Sequence, residues 1–189
     1  MGLLDGEPKS LHARTRLAAE KYSIDACTGR SMTPIILRAG VIYGRGVKLI
    51  DAARTLMRWR SMAIWRQPTW VHLLSLADFL HCVQRAIETD NLRGIYNLCD
   101  DQPLYLQEFL DQLARHWGYP KPWRLPEFCF TATATACESI AAFLHSASPL
   151  TRDMIQMGVT SVVADTSRMK REIAPALIYP TLREGLAAL

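Results

Sequence analysis

The sequence has no C-x-x-C pair, no glycine-rich strand-to-helix turn, no long apolar run and no basic tail, and each absence argues against a class of function. Its five cysteines, Cys27, Cys82, Cys99, Cys129 and Cys137, are odd in number and far apart. That pattern speaks against a disulfide framework or zinc site and for free thiols in a reducing compartment, so a cytoplasmic location is expected. His81, His116 and His145 are isolated and lack ligand spacing, so no metal is expected. No G-x-G-x-x-G or G-x-x-G-x-x-G follows an apolar strand near the N-terminus, so the turn that seats a pyrophosphate on a helix N-terminus is missing. The opening MGLLDGEPKS has no charged region followed by an apolar one, which argues against a signal peptide. Gly6 stands where N-myristoylation needs Ser or Thr. The longest small-apolar stretch, Phe128–Ala147, is interrupted by Glu138 and His145, and reads as a buried or interfacial helix rather than a membrane span. A net charge of +4 without RNP-like or finger-like spacing gives no case for nucleic acid. No repeat or low-complexity segment is present.

What remains is an ordinary globular composition, 49% hydrophobic and 21% charged over 189 residues, which suits a single domain spanning 1–189. Ser10 to about Ala26 reads as a helix capped by Ser10, with Leu11, Leu17, Ala18 and Tyr22 at helical spacing. Ile35–Leu37 reads as a strand buried on both faces of a parallel sheet. A loop with Tyr43-Gly44 follows, then a helix over 47–60. Met62–Trp65 and Val71–Leu74 are short strands. Ser75–Glu88 is a strong helix with Ser75 as cap and Asp78 in its first turn. Gly94–Leu98 is a strand and Tyr105–Trp117 a helix stopped at Gly118. Three prolines make Tyr119–Pro126 an irregular linker. Helices over Phe130–Leu144 and Thr151–Gln156, a strand at Ser161–Ala164, a helical turn at Thr166–Glu172 and a terminal helix over Thr181–Leu189 complete the pattern. The alternation predicts an α/β fold with helices covering the sheet.

Residues 38–66 carry Arg38, Arg45, Lys48, Arg54, Arg58, Arg60 and Arg66 against a single acid, Asp51. Such a segment can clamp a diphosphate through guanidinium forks, with Arg58 and Arg66 as candidates, or it can be a solvated helix face. Trp59 and Trp65 can stack on a base or simply pack. Arg38, closing a strand, reads as a structural ion pair. His72 is a candidate substrate contact, with a structural histidine as the alternative.

The order of motifs resembles the NAD-dependent epimerase/dehydratase family, the extended short-chain dehydrogenases. Arg38 with Tyr43-Gly44 matches its R-x-x-x-x-Y-G loop. Val71-His72 with Ala77 and Asp78 matches V-H-x-x-D-x-A in part, and Gly94–Leu98 matches G-x-Y-N-L. Asp165–Arg168 resembles D-x-S-K, and Pro180–Leu186 resembles P-x-L-x-x-G-L. The tail is most similar to the sterol-dehydrogenase-like and flavonol-reductase-like branches. In that family the Tyr43 loop comes well over a hundred residues into the chain, after the nucleotide-binding half. The resemblance therefore implies a C-terminal half: the last strands of a Rossmann-like parallel sheet plus a small α/β substrate-binding lobe, with the glycine-rich cofactor half absent.

The same resemblance implies NAD or NADP as cofactor and a nucleotide sugar or sterol-like alcohol as substrate. It places the catalytic pair on His12 and Arg16, because H-x-x-x-R stands where the family has Y-x-x-x-K. His12 can titrate near neutrality, and Arg16 can hold a ribose hydroxyl but cannot release a proton. Tyr43 falls where the family's loop passes the nicotinamide. The alternatives are a non-catalytic binding or scaffold subunit and a truncated gene product that retains the substrate lobe. The expected partners are a small-molecule substrate, a second copy of the chain or a missing N-terminal half.

Overall fold

The computed structural model describes residues 10–30, 32–148 and 150–189. The chain opens with helix α1 (Leu11–Cys27), started by the Ser10 hydroxyl accepting from the Ala13 N–H at 3.1 Å. Strands β1 (Ile35–Ala39) and β2 (Val41–Tyr43) follow, then α2 (Lys48–Arg58), β3 (Ala63–Trp65), β4 (Trp70–Val71) and β5 (Leu73–Ser75). Next come α3 (Leu76–Glu88), β6 (Gly94–Leu98), β7 (Leu104–Tyr105), α4 (Leu106–His116) and β8 (Trp123–Leu125). Helices α5 (Glu127–Phe143), α6 (Arg152–Val159), α7 (Ser167–Glu172) and α8 (Leu182–Gly185), with a 3-10 turn at Leu186–Ala188, end the chain. The expected α/β class holds.

The strands pair two by two. β1 runs parallel to β6, β2 parallel to β5, and β3 parallel to β8, while β4 and β7 are antiparallel. Gly40 is the hinge between the first two pairs. Its N–H donates to the Leu98 carbonyl of β6, and the next N–H, of Val41, donates to the His72 carbonyl beside β5. A Cβ at Gly40 would overlap that His72 oxygen, so only glycine lets the strand change partner here.

Two cores lie on either side of β5, whose adjacent Leu73 and Leu74 point to opposite faces, as a strand requires. Leu73 joins Tyr43, Met57, Trp65, Phe109 and Leu113. Leu74 joins Cys82, Tyr96, Leu98, Met169 and Ile173.

Several expectations need correction. The Tyr43 segment is a strand rather than a loop, because Val41–Tyr43 finds β5 as partner. The Tyr119–Pro126 segment contains strand β8, since none of its prolines falls within Trp123–Leu125, where the parallel ladder with β3 forms. Ser161–Ala164 joins no ladder, although Val162 donates to the Trp70 carbonyl. β1 is half-buried rather than covered on both faces, having β6 as its only strand partner among the described residues. The terminal helix is one α-turn followed by a 3-10 turn. Among the described residues no helix is long and apolar enough to cross a membrane.

Candidate functional site

At the carboxyl ends of β1 and β6, where open α/β sheets place ligands, the structure puts His72, Asp100 and Ala164 together. The His72 Nδ1 lies 3.2 Å from the Ala164 N–H. A backbone N–H can only donate, so Nδ1 is the acceptor and the ring proton sits on Nε2. Nε2 then donates to the Asp100 carbonyl at 2.9 Å, with the Asp100 Oδ1 at 3.6 Å. Burial holds the His72 imidazole below its ordinary range and keeps it neutral. The Asp100 carboxyl is 0% exposed and is pushed by that burial up to about 7. Its Oδ1 accepts from the Gln102 N–H, while Oδ2 has no partner among the described residues. This cluster ties three segments together and engages both ring nitrogens of His72.

Tyr43, the candidate cofactor contact, is enclosed as well. It is fully buried, its ring tilts against Phe109 at 6.3 Å, and its hydroxyl has no hydrogen-bond partner among the described residues. Gly185 lies beneath it, and a Cβ there would overlap the hydroxyl oxygen. Burial, with Asp100, Asp78 and Glu184 near, pushes the phenol well above its usual range. It stays protonated and closed off in this conformation.

His12 and Arg16 stand one turn apart on α1, both exposed. Polar ties hold that helix in place. The Asp153 carboxylate of α6 accepts from the Leu11 N–H at 2.6 Å and the His12 N–H at 3.2 Å, a negative charge at the positive end of α1. Farther along, Glu20 forms a bidentate pair with Arg38, as expected of an arginine closing β1.

The basic segment divides. Arg58 is exposed at the end of α2. Arg66 lines a cleft of about 370 Å³ together with Pro68, Tyr105, Glu108, Asp111, Gln112, Arg115 and Arg124. Sequence reasoning missed Arg115 and Arg124. The available signal was the polar face of the 105–117 helix, where Glu108, Asp111, Gln112 and Arg115 recur at i+3, i+4 and i+7.

By sequence alone, no family model and no curated protein matches the chain. Solved structures do match. A human epimerase family protein solved with NADPH superimposes with a TM-score of 0.71 at 16% identity, covering 91% of this chain and 53% of that one. The UDP-glucuronic acid 4-epimerase of Bacillus cereus, in complex with UDP-glucuronic acid and NAD, gives 0.68 at 15% identity, covering 96% and 52%. The ADP-L-glycero-D-manno-heptose-6-epimerase of Helicobacter pylori gives 0.65 at 12%, covering 98% and 51%. The chain shares their fold. It spans about half the length of these structures.

The described residues do not fit the pyrophosphate of a dinucleotide. The β5–α3 turn is closed by Ser75, whose hydroxyl accepts from the Asp78 N–H and donates to the Asp78 carboxylate. The Asp78 carboxylate also accepts from the Ile178 and Tyr179 N–H groups. The β7–α4 and β8–α5 turns contain no glycine, and the β2–α2 turn has Gly44 and Gly46 but no third. Among the described residues no group of His, Cys, Asp and Glu is placed to hold a metal ion.

Proposed function

We propose that the chain is the substrate-side half of an NAD(P)-dependent epimerase/dehydratase-like or hydroxyl dehydrogenase-like protein acting on a nucleotide sugar or a sterol-like alcohol. The observation that carries the reading is the superposition of more than nine-tenths of the chain on structures of nucleotide-sugar epimerases. In this reading His12 passes a proton to or from a substrate hydroxyl, which its imidazole can do near neutral pH. Arg16, one turn on, holds a neighbouring hydroxyl through its fork of donors. Both side chains are open to solvent, and the Asp153 and Glu20 ties hold the helix that presents them.

A second reading, a non-catalytic binding subunit, is favoured by one observation. Tyr43, a candidate cofactor contact, is sealed in the core with Gly185 beneath it. Isothermal titration separates the readings. The substrate-half reading expects UDP-glucose or UDP-glucuronic acid to bind with a dissociation constant on the order of 0.1–1 mM, and NAD and NADP no better than about millimolar. Arg16→Ala should weaken the sugar nucleotide about tenfold. Unchanged binding in Arg16→Ala and His12→Ala would leave α1 outside the site and favour the binding subunit.

A further inference from the structure

We propose that the outer face of α5, with the strand β8 that leads into it and the α2–β3 turn beside it, is a docking surface for a membrane carrying anionic lipids. The helix is fastened from its inner side. Phe130 stands edge-on to Trp65 at 5.8 Å between ring centroids, and of the residues of α5 only Ala134 and Ala141 are buried. The opposite side faces outward, with Phe128 72% and Phe143 84% exposed and Ile140 and Leu144 exposed as well. Phe128 and Phe143 stand about four turns apart, which puts an aromatic ring near each end of one side of the helix.

Polar groups on this helix are satisfied internally. Between 128 and 143 the one carboxylate or basic side chain is Glu138, and it accepts from the Arg152 N–H at 2.8 Å and from its Nε at 2.7 Å. Glu127, in the first turn, is half-buried. The exposed hydroxyls are closed in a similar way. Thr131, Thr133, Thr135 and Ser139 each donate to the carbonyl one turn back, at 3.4, 2.8, 2.8 and 2.9 Å. An outer helix face in water ordinarily carries charge. This one presents carbon, and hydroxyls already bonded to the backbone, which is what a helix needs against lipid.

The neighbouring segments supply an aromatic and basic rim. Pro126 caps α5, so β8 enters the helix directly, with Trp123 65% exposed and Leu125 on the same side of the strand. The Trp123 Nε1 donates to the Arg60 carbonyl at 3.2 Å, which holds the α2–β3 turn alongside. That turn shows Trp59, 73% exposed, between Arg58 and Arg60. Neither arginine enters an ion pair among the described residues, and Lys121, paired with Asp111 at 3.4 Å, leaves 67% of its side chain exposed. Indole rings favour the boundary between headgroups and acyl chains, and cations beside them attract anionic headgroups. A second copy of this chain would bring the same positive rim against itself and be repelled. Among the described residues no helix is long and apolar enough to cross a membrane, so α5 lies in the plane of the surface.

Co-sedimentation of the full chain with vesicles made from equal parts phosphatidylcholine and phosphatidylglycerol tests the proposal. Binding is expected, about tenfold weaker on phosphatidylcholine alone and weakened further by salt. Phe128→Glu with Phe143→Glu should lower it at least about tenfold. Arg60→Glu with Lys121→Glu should remove the preference for the anionic mixture. Ile87→Glu, at an exposed apolar position on α3, should leave binding within about twofold. All these positions are exposed, so the variants should fold, which melting curves will verify. In the parent chain, brominated lipid should quench tryptophan fluorescence, and Trp59→Phe with Trp123→Phe should remove most of that quenching. Absence of vesicle binding overturns the surface, and so does equal loss in Ile87→Glu, which would show unspecific apolar adhesion. A lipid-free dimer in light scattering that Phe143→Glu disperses would assign the face to a second copy and also overturn it. These readouts do not depend on the sugar-nucleotide experiment, so either reading can fail alone.

Discussion

Helices α1 and α4 are fastened differently, one by charge and the other by its core. No residue of α1 is buried, and Leu11 and Tyr22 are 70% and 76% exposed. In α4, Phe109, Leu110, Leu113 and Ala114 are buried and Gln107 is sealed among backbone groups. The difference lies in where the apolar residues fall. In α4 positions 106, 109, 110, 113 and 114 make one stripe, whereas in α1 positions 11, 17, 18, 22 and 24 scatter around the cylinder. A stripe buries against β2 and α2; a scatter cannot, so α1 depends on Asp153 and Glu20.

The contrast breaks most sharply in stability. Leu113→Ala removes a fully buried side chain and should cost about 3 kcal/mol, while Leu11→Ala should stay within about 0.5 kcal/mol. Urea unfolding of both variants checks this, and equal costs would mean that α1 is as well packed as α4.

A buried polar tie behaves differently from both helices. Asp100 is pushed up to about 7 in the fold against an ordinary 3.8, so the folded chain keeps this proton where the unfolded chain has lost it. Its contribution is complete below about pH 4 and is lost as pH rises through about 7. Asp100→Asn removes that loss and should be more stable than the parent at pH 8, by on the order of 2 kcal/mol. His72, held below its ordinary value, works in the opposite direction: its stabilisation is present above about 6.5 and lost on acidification. The variant should therefore keep only the acid-side decline in denaturation curves taken from pH 4 to 8.

Asp153→Ala should loosen α1 alone. Both N–H groups it accepts from would face water, costing about 1 kcal/mol locally. Hydrogen exchange should speed up across the first turn of α1 and stay unchanged in α4. The smallest effect belongs to Glu20→Gln, which weakens the half-buried pair with Arg38. About 0.5–1 kcal/mol is expected, shrinking as salt is added. A salt-independent loss would show that packing rather than charge fastens α1.

Much of the fold was legible from local chemistry. Ser10 and Ser75 cap the helices they were expected to cap, because a hydroxyl in the N-cap position satisfies a free N–H wherever the helix packs. Gly94–Leu98 and β1 were legible as strands from their apolar runs. β8 was hidden by flanking prolines, and its ladder exists only because β3 lies beside it. Ser161–Ala164 looks like a strand but finds Trp70 and the His72 ring instead of a ladder. Of the candidate site, His12 and Arg16 could be placed one turn apart from spacing alone. The burial of Tyr43 and His72 could not, since neither residue's own neighbours in the chain seal it.

The sequence by itself determined the alternation of helices and strands, the caps and the segment in which positive charge collects. These follow from contacts within a few residues, where spacing and side-chain type suffice. Only the tertiary structure decided that Arg66, Arg115 and Arg124 face one cleft, that Asp100 holds its proton near neutrality and that Gly40 carries the chain from one strand partner to the next. Those outcomes depend on groups far apart in the chain meeting away from water, where burial and pairing, rather than residue type, set the charge and the geometry.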